Sequence, residues 1–309
     1  IKVFRKMPAK DLWKKCLKAL FETGHPWITF KDPSNIRYSN KHVGVVHSSN
    51  LCTEILLHTK PSVYNEGELS ELGETAVCNL ASINLSNHVK VRTIDWKKLQ
   101  KTVEVAVKGL DNVIDLNFYP TDEARESNLK NRPVGLGVMG THDVLHKLGI
   151  DYDSPEAVSL CDRVQEFISL HAIKTSAMIA KEKGTYPTFG GSEWDKGNFP
   201  IDTYCEMKNQ RVKTPCVLED YTLYETLDEW KSVRDLVSEY GMRNSNVMAI
   251  APTATISYIQ GCSQSIEPDY SVLYVYSTLS GEFTMVNEHF VKLAKKNGLW
   301  SQALVDALK

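Results

Sequence analysis

The chain has no CxxC pair among its seven cysteines, which argues against a cysteine-ligated zinc site. The cysteines are odd in number and scattered (Cys16, Cys52, Cys78, Cys161, Cys205, Cys216, Cys262). A secreted disulfide framework is therefore not the reading, and a reducing, cytoplasmic compartment is expected. No apolar run approaches the ~20 residues that a membrane span needs, and Ile1-Lys2-Val3-Phe4-Arg5-Lys6 lacks a signal-peptide core. Neither sign of charge dominates: 36 Lys and Arg against 38 Asp and Glu leave −2. That argues against a nucleic-acid partner, whose usual footprint is a basic excess. Internal repeats and low-complexity tracts are missing. So is an initiator Met, and a fragment or processed piece is expected.

What is present is the composition of a globular protein, 42% hydrophobic and 24% charged over 309 residues, enough for one large domain or two ordinary ones. Apolar periodicity predicts helices over residues 11–23, 93–116, 141–148, 154–183 and 227–240, with helical character again over 288–309. Asp95 stands near one start, Ser154-Pro155 marks another, and Gly24 and Gly184 mark stops. Short apolar runs at 42–47, 133–139 and 246–251 read as strands, whereas 59–73 and 190–224 read as irregular polar stretches. Strands alternating with long helices imply an α/β architecture with parallel strands.

One run concentrates chemistry. In Ser49-Asn50-Leu51-Cys52-Thr53-Glu54-Ile55 an extended backbone would point Asn50, Cys52 and Glu54 to one face. An amide, a thiol and a carboxylate would then converge. A second cysteine lies in Glu74-Thr75-Ala76-Val77-Cys78-Asn79-Leu80. A lone cysteine is ordinarily a small core hydrophobe, but Asn and Glu rarely enter a core without a partner or a role.

Asn50-Leu51-Cys52-Thr53-Glu54-Ile55 resembles the finger-loop motif of the large, catalytic subunit of ribonucleotide reductases. Four further stretches resemble that subunit in the same order: 76–85, 132–140, 248–257 and Leu279-Ser280-Gly281-Glu282-Phe283. The resemblance implies that residues 1–309 are part of a ten-stranded α/β barrel with the finger loop through its centre. It also implies thiyl-radical reduction of ribonucleoside di- or triphosphates, with Cys52 as the radical, Glu54 as the base, Asn50 orienting the ribose and Cys78 as one of two reducing thiols. Pro252-Thr253-Ala254-Thr255-Ile256 would hold the substrate phosphates; without the resemblance, a plain helix cap is the simpler reading of that loop.

Three departures accompany the resemblance. The second reducing cysteine belongs to an upstream barrel strand that this chain does not supply. The N-terminal regulatory segments and specificity loop are absent, and so are the C-terminal tyrosine pair and tail cysteines. A C-terminal-side portion or half of a split subunit is expected, active only with a complementing upstream segment. No tightly bound cofactor is expected in the chain itself. The radical would come from a small dimetal partner subunit, with adenosylcobalamin as the alternative, and reducing equivalents from a thioredoxin- or glutaredoxin-like dithiol. A non-catalytic assembly module and a cysteine hydrolase using His47 or His58 are the rival readings.

Other patterns point to bland roles. Gly135-x-Gly137-x-x-Gly140 has dinucleotide-binding spacing, but no strand precedes it and its glycines sit inside an apolar run, where they serve close packing. Tyr258, Tyr270, Tyr274 and Tyr276 read mainly as packing. His42 and His47 lack a third partner for a metal.

Overall fold

The computed structural model describes residues 5–210 and 227–308. The N-terminal part holds α1 (Ala9–Thr23) and α2 (Lys31–Arg37). Gly24 ends α1 at φ 72°, its N–H bonded to the Leu20 carbonyl at 2.8 Å. Residues 44–50 are irregular rather than a strand. The Asn35 side chain takes both the N–H and the carbonyl of Val46 (2.9 and 3.0 Å), occupying groups that a strand neighbour would need.

The stretch expected to be a polar loop instead forms the antiparallel hairpin β1 (Val63–Asn65) and β2 (Glu68–Glu71). Its two-residue turn places Glu66 and Gly67 at φ 53° and 91°, as a twist-matched hairpin turn requires.

The centre of the molecule is parallel. β3 (Leu80–Asn84) leads through a 3₁₀ turn and the small hairpin β4 (Val89–Lys90) and β5 (Thr93–Ile94) into α3 (Trp96–Leu116) and α4 (Asp122–Asn131). The chain then returns as β6 (Gly135–Met139), parallel to β3 in the register Leu80↔Gly135 to Asn84↔Met139. On the other edge of β6, residues 246–249 run parallel through Val134 N–H to Asn246 O (2.9 Å), Leu136 N–H to Val247 O (3.0 Å) and Ala249 N–H to Leu136 O (3.2 Å). Only a bridge at Met248 forms there, so the expected strand is shorter than its apolar run.

The glycines of β6 explain the close approach. A Cβ on Gly137 would stand 2.3 Å from the Ala249 carbonyl oxygen, and one on Gly135 2.8 Å from the Ala249 Cβ. Their spacing serves packing, not a dinucleotide.

α5 (Thr141–Leu148) and α6 (Pro155–Lys183) follow, then α7 (Pro200–Gln210) inside the stretch expected to be irregular; the part of that stretch over 211–224 lies outside the described residues. α8 (Trp230–Tyr240), α9 (Ile256–Gln260), the antiparallel hairpin β7 (Leu273–Thr278) with β8 (Gly281–Val286), α10 (Glu288–Lys296) and α11 (Gln302–Leu308) complete the order. Asp95 and Ser154 cap α3 and α6 by accepting the N–H groups of Lys98 and Ala157. The core forms where the Leu99, Val103, Val107 and Ile114 face of α3 meets Ile168, Ile173 and Ala177 of α6, with Leu136 of β6 buried in the same cluster.

The architecture is mixed α/β, as expected. The described residues form four two-stranded sheets and no closed barrel. Three of the four pairs are antiparallel, and only β3–β6 with its bridged neighbour has the parallel pairing a barrel wall uses. No helix among the described residues is long and apolar enough to cross a membrane.

Candidate active site

The segment carrying Cys52 is a turn, which corrects the extended reading. Thr53 N–H bonds the Asn50 carbonyl (3.2 Å), Asn50 N–H bonds the Ile55 carbonyl (3.3 Å), and Thr53 sits at φ 66°. Strict alternation of faces therefore does not set the directions of Asn50, Cys52 and Glu54; they lie on a closed turn. Asn50 Oδ1 accepts the Ile55 N–H at 3.1 Å, so the amide oxygen helps to build the loop. Leu51 projects from the tip, 91% exposed.

Cys78 lies just before β3. It lines a small cleft with Glu54, Val77, Asn79, Asn246 and Met248. Partial burial pushes its thiol pKa up, and the negative charges of Glu54 and Cys52 push it further. The Glu54 Oε2 is buried without a hydrogen-bond partner. Cys52 and Cys78 are both free thiols.

A buried network beneath these segments holds them in place. Lys60 and Glu74 exchange two backbone hydrogen bonds (2.9 and 2.8 Å), and the His58 ring bonds the Glu74 carboxylate at 2.9 Å and the Tyr38 hydroxyl at 2.7 Å. Lys130 and Asn131 donate to the same carboxylate (2.7 and 3.0 Å). Burial pushes the Glu74 carboxyl up, but those two hydrogen bonds and the neighbouring His58 outweigh it and hold it below the usual range. The stretch leaving the Cys52 turn is in this way stapled to the stretch entering Cys78. Sequence reading missed this network, because its members are far apart in the chain and belong to no motif. Both nitrogens of His58, one of the two candidate hydrolase bases, are engaged in this network, and His47 stands beside Lys31 Nζ (3.4 Å).

From Asn246 and Met248 in the cleft, the chain runs on to the Pro252–Ile256 loop. Thr253 is buried at φ 58°; its hydroxyl oxygen accepts the Ser265 N–H at 2.8 Å and its carbonyl accepts the Ser257 N–H at 3.0 Å. Thr255 precedes α9 without a side-chain capping bond, which removes the simple cap reading. Ala254, Thr255 and Ile256 are exposed, Pro252 half-buried. Behind the loop, Tyr258 stacks on Tyr276 with centroids 4.2 Å apart and meets the Tyr274 hydroxyl at 3.3 Å. His42 bonds the Thr188 carbonyl at 2.8 Å, away from His47. His142 and His146 on α5 do come together; sequence reading missed them, although two histidines four apart on a helix are a readable signal.

Comparison with known proteins agrees with the resemblance. Residues 2–309 match the family model "Ribonucleotide reductase, barrel domain". The chain is 52% identical, over its whole length, to the ribonucleoside-diphosphate reductase subunit alpha of Chlamydia pneumoniae, of which it covers 28%. It is 39% identical over 90% of its length to the Helicobacter pylori (strain ATCC 700392 / 26695) subunit alpha, covering 40% of that protein. Against the Trypanosoma brucei brucei large subunit it is 38% identical over 96% of its length, covering 34% of that protein. The chain thus spans roughly a third of the length of these relatives, and it belongs to the ribonucleotide reductase barrel-domain family.

Proposed function

We propose that this chain contributes the radical-bearing thiol and one reducing thiol to a ribonucleoside-diphosphate reductase, acting in the catalytic barrel of its large subunit. The reading is carried by Glu54 and Cys78 lining one cleft, with Cys52 two residues before Glu54 in the turn and the Glu54 Oε2 buried and unpartnered. A sulfur radical at Cys52 takes the hydrogen atom from the ribose 3′ carbon, making S–H as C–H breaks. Glu54 accepts the 3′-hydroxyl proton as general base, Oε2 being the free acceptor. The Asn50 NH₂ holds the ribose hydroxyls in one pose. The 2′-hydroxyl leaves as water while Cys78 and a second thiol supply two electrons and two protons, ending as a disulfide. Cys52 then returns its hydrogen to the 3′ carbon and Glu54 its proton to the 3′ oxygen, which restores the hydroxyl and the radical.

The second thiol comes from a complementing upstream segment of the large subunit. The radical is generated outside the chain, by a small dimetal subunit or, alternatively, by adenosylcobalamin. A thioredoxin- or glutaredoxin-like dithiol reopens the disulfide. The substrate phosphates rest on residues 252–256, where Ala254, Thr255 and Ile256 face outward and no lysine is required. The test is deoxynucleotide formation by the full-length polypeptide carrying this sequence, supplied with small subunit, dithiol and a ribonucleoside diphosphate. Cys52→Ser should abolish product while substrate binding persists, because a serine O–H is too strong to form the equivalent radical. Turnover by the Ser variant would overturn the assignment, and turnover with adenosylcobalamin in place of the small subunit would select the alternative source.

A further inference from the structure

Outside the cysteine cleft, three elements meet at a group of nitrogen and oxygen donors. His142 and His146 stand one turn apart on α5, ring centroids 4.2 Å apart. Asp269, in the segment before β7, brings its Oδ2 to 3.8 Å from His142 Nδ1. One donor atom from each residue lies within 4.8 Å of the other two. His146 Nε2 is buried with no hydrogen-bond partner, an arrangement that protein interiors rarely tolerate without a ligand.

We propose that His142, His146 and Asp269 form a binding site for a divalent transition cation of the zinc type, which ties α5 to the segment leading into the β7–β8 hairpin. Two imidazoles and a carboxylate are the donor set of borderline cations, not of magnesium or calcium, which prefer all-oxygen surroundings. Three protein ligands leave a fourth position for water.

The surroundings favour ligation. The Asp269 N–H donates to His142 Nδ1 at 3.0 Å, so the ring already keeps its proton on Nε2 and offers the Nδ1 lone pair. A cation there displaces one amide hydrogen bond and leaves the tautomer unchanged. Asn287 Nδ2 donates to Asp269 Oδ2, the kind of outer contact that orients a metal-binding carboxylate. The His289 ring stacks on His146 at 5.1 Å and bonds Asp143 at 3.0 Å, closing one side and placing an anion nearby. Donors bound to tetrahedral zinc at ~2.0–2.1 Å stand about 3.4 Å apart. Side-chain rotation has to shorten the widest pair by at most about 1.4 Å.

The experiment titrates Co²⁺, then Zn²⁺ in competition, into the full-length polypeptide freed of metal with a chelator. One equivalent of cobalt should bind with a tetrahedral visible spectrum that lacks a thiolate charge-transfer band, and zinc should displace it. His146→Gln should weaken binding by about 100-fold or more, beyond the 10–100-fold typical of losing an outer partner. Asp269→Asn, on a half-exposed side chain, should weaken it while leaving the circular dichroism unchanged. It carries the test if His146→Gln fails to fold. No binding by folded protein, a thiolate-type spectrum, or an affinity that the folded variants leave unchanged would overturn the proposal.

Discussion

His58 and Glu74 meet through a 2.9 Å contact between Nε2 and Oε2, and both side chains are almost fully buried (2% and 4% exposed). This contact fixes the spacing between the Cys52 turn and the Cys78 segment, which share no continuous sheet. Glu74→Gln keeps the shape but removes the charge that Lys130 and Asn131 serve. A loss of about 1.5–3 kcal/mol is expected, the range for hydrogen bonds to a charged group. The pH dependence has a definite sign. Because the Glu74 carboxyl is held below its usual range, its contribution is present above the ordinary glutamate pKa of about 4.3. It is lost as pH falls through the lower folded value. Chemical denaturation between neutral and acidic pH should therefore give Glu74→Gln a flatter acid limb than the parent; equal limbs would contradict the pairing.

Cys78 should be slow to alkylate at neutral pH. Thiolate is the reacting form, and burial together with Glu54 and Cys52 raises the thiol pKa. The midpoint of its iodoacetamide rate profile is expected above the ~8.5 of a free cysteine. Glu54→Gln should move that midpoint down without restoring it fully, since burial is the larger cause. An unmoved midpoint would mean that Glu54 does not face Cys78.

Gly137→Ala puts a methyl group where the Ala249 carbonyl oxygen already stands, at 2.3 Å. The neighbour is backbone and cannot swing aside. Overpacking of this kind typically costs about 1–3 kcal/mol. Thermal unfolding should show the loss, and hydrogen exchange should show it concentrated in residues 246–249. Gly149→Ala provides the contrast: no atom lies within 4 Å of its Cβ, and the penalty comes only from φ 72°.

The two threonines of the 252–256 loop should separate binding from stability. Thr253→Val leaves the buried Ser265 N–H without its acceptor and should destabilise the fold by about 1–3 kcal/mol. Thr255→Val, on an exposed residue, should leave stability alone. If its hydroxyl serves a phosphate, nucleotide affinity falls by about 10- to 150-fold, the equivalent of roughly 1.5–3 kcal/mol. Equilibrium binding by both variants distinguishes the roles, and an unchanged affinity for Thr255→Val would take that hydroxyl out of the site.

The sequence made the long helices legible, because α3 and α6 have regular apolar faces and explicit caps in Asp95 and Ser154. Other helices were hidden for physical reasons. α4 buries Ala124, Ser127, Asn128 and Asn131, a largely polar set that no hydrophobic period reveals. α7 begins at Pro200, a start signal available but unused. At the site, the motif pointed to Asn50, Cys52, Glu54 and Cys78, but not to how they approach one another. The turn depends on Thr53 adopting a left-handed backbone, and no glycine or proline in 50–55 announces it. The supporting bonds of Tyr38, His58 and Glu74 are tertiary facts that spacing cannot carry.

The three parallel stretches at the centre also set an order of assembly. β3 meets β6 only after α3 and α4 have been made, and residues 246–249 reach the far edge of β6 only after α6 and α8. Contacts so distant in sequence form slowly, since loop closure precedes their reward. On a ribosome, Cys78 emerges long before Asn246 and Met248 arrive to wall the cleft it shares with Glu54. The Cys78 thiol is thus made early and its cleft completed late, and the interval between the two events is governed by translation speed as much as by chemistry.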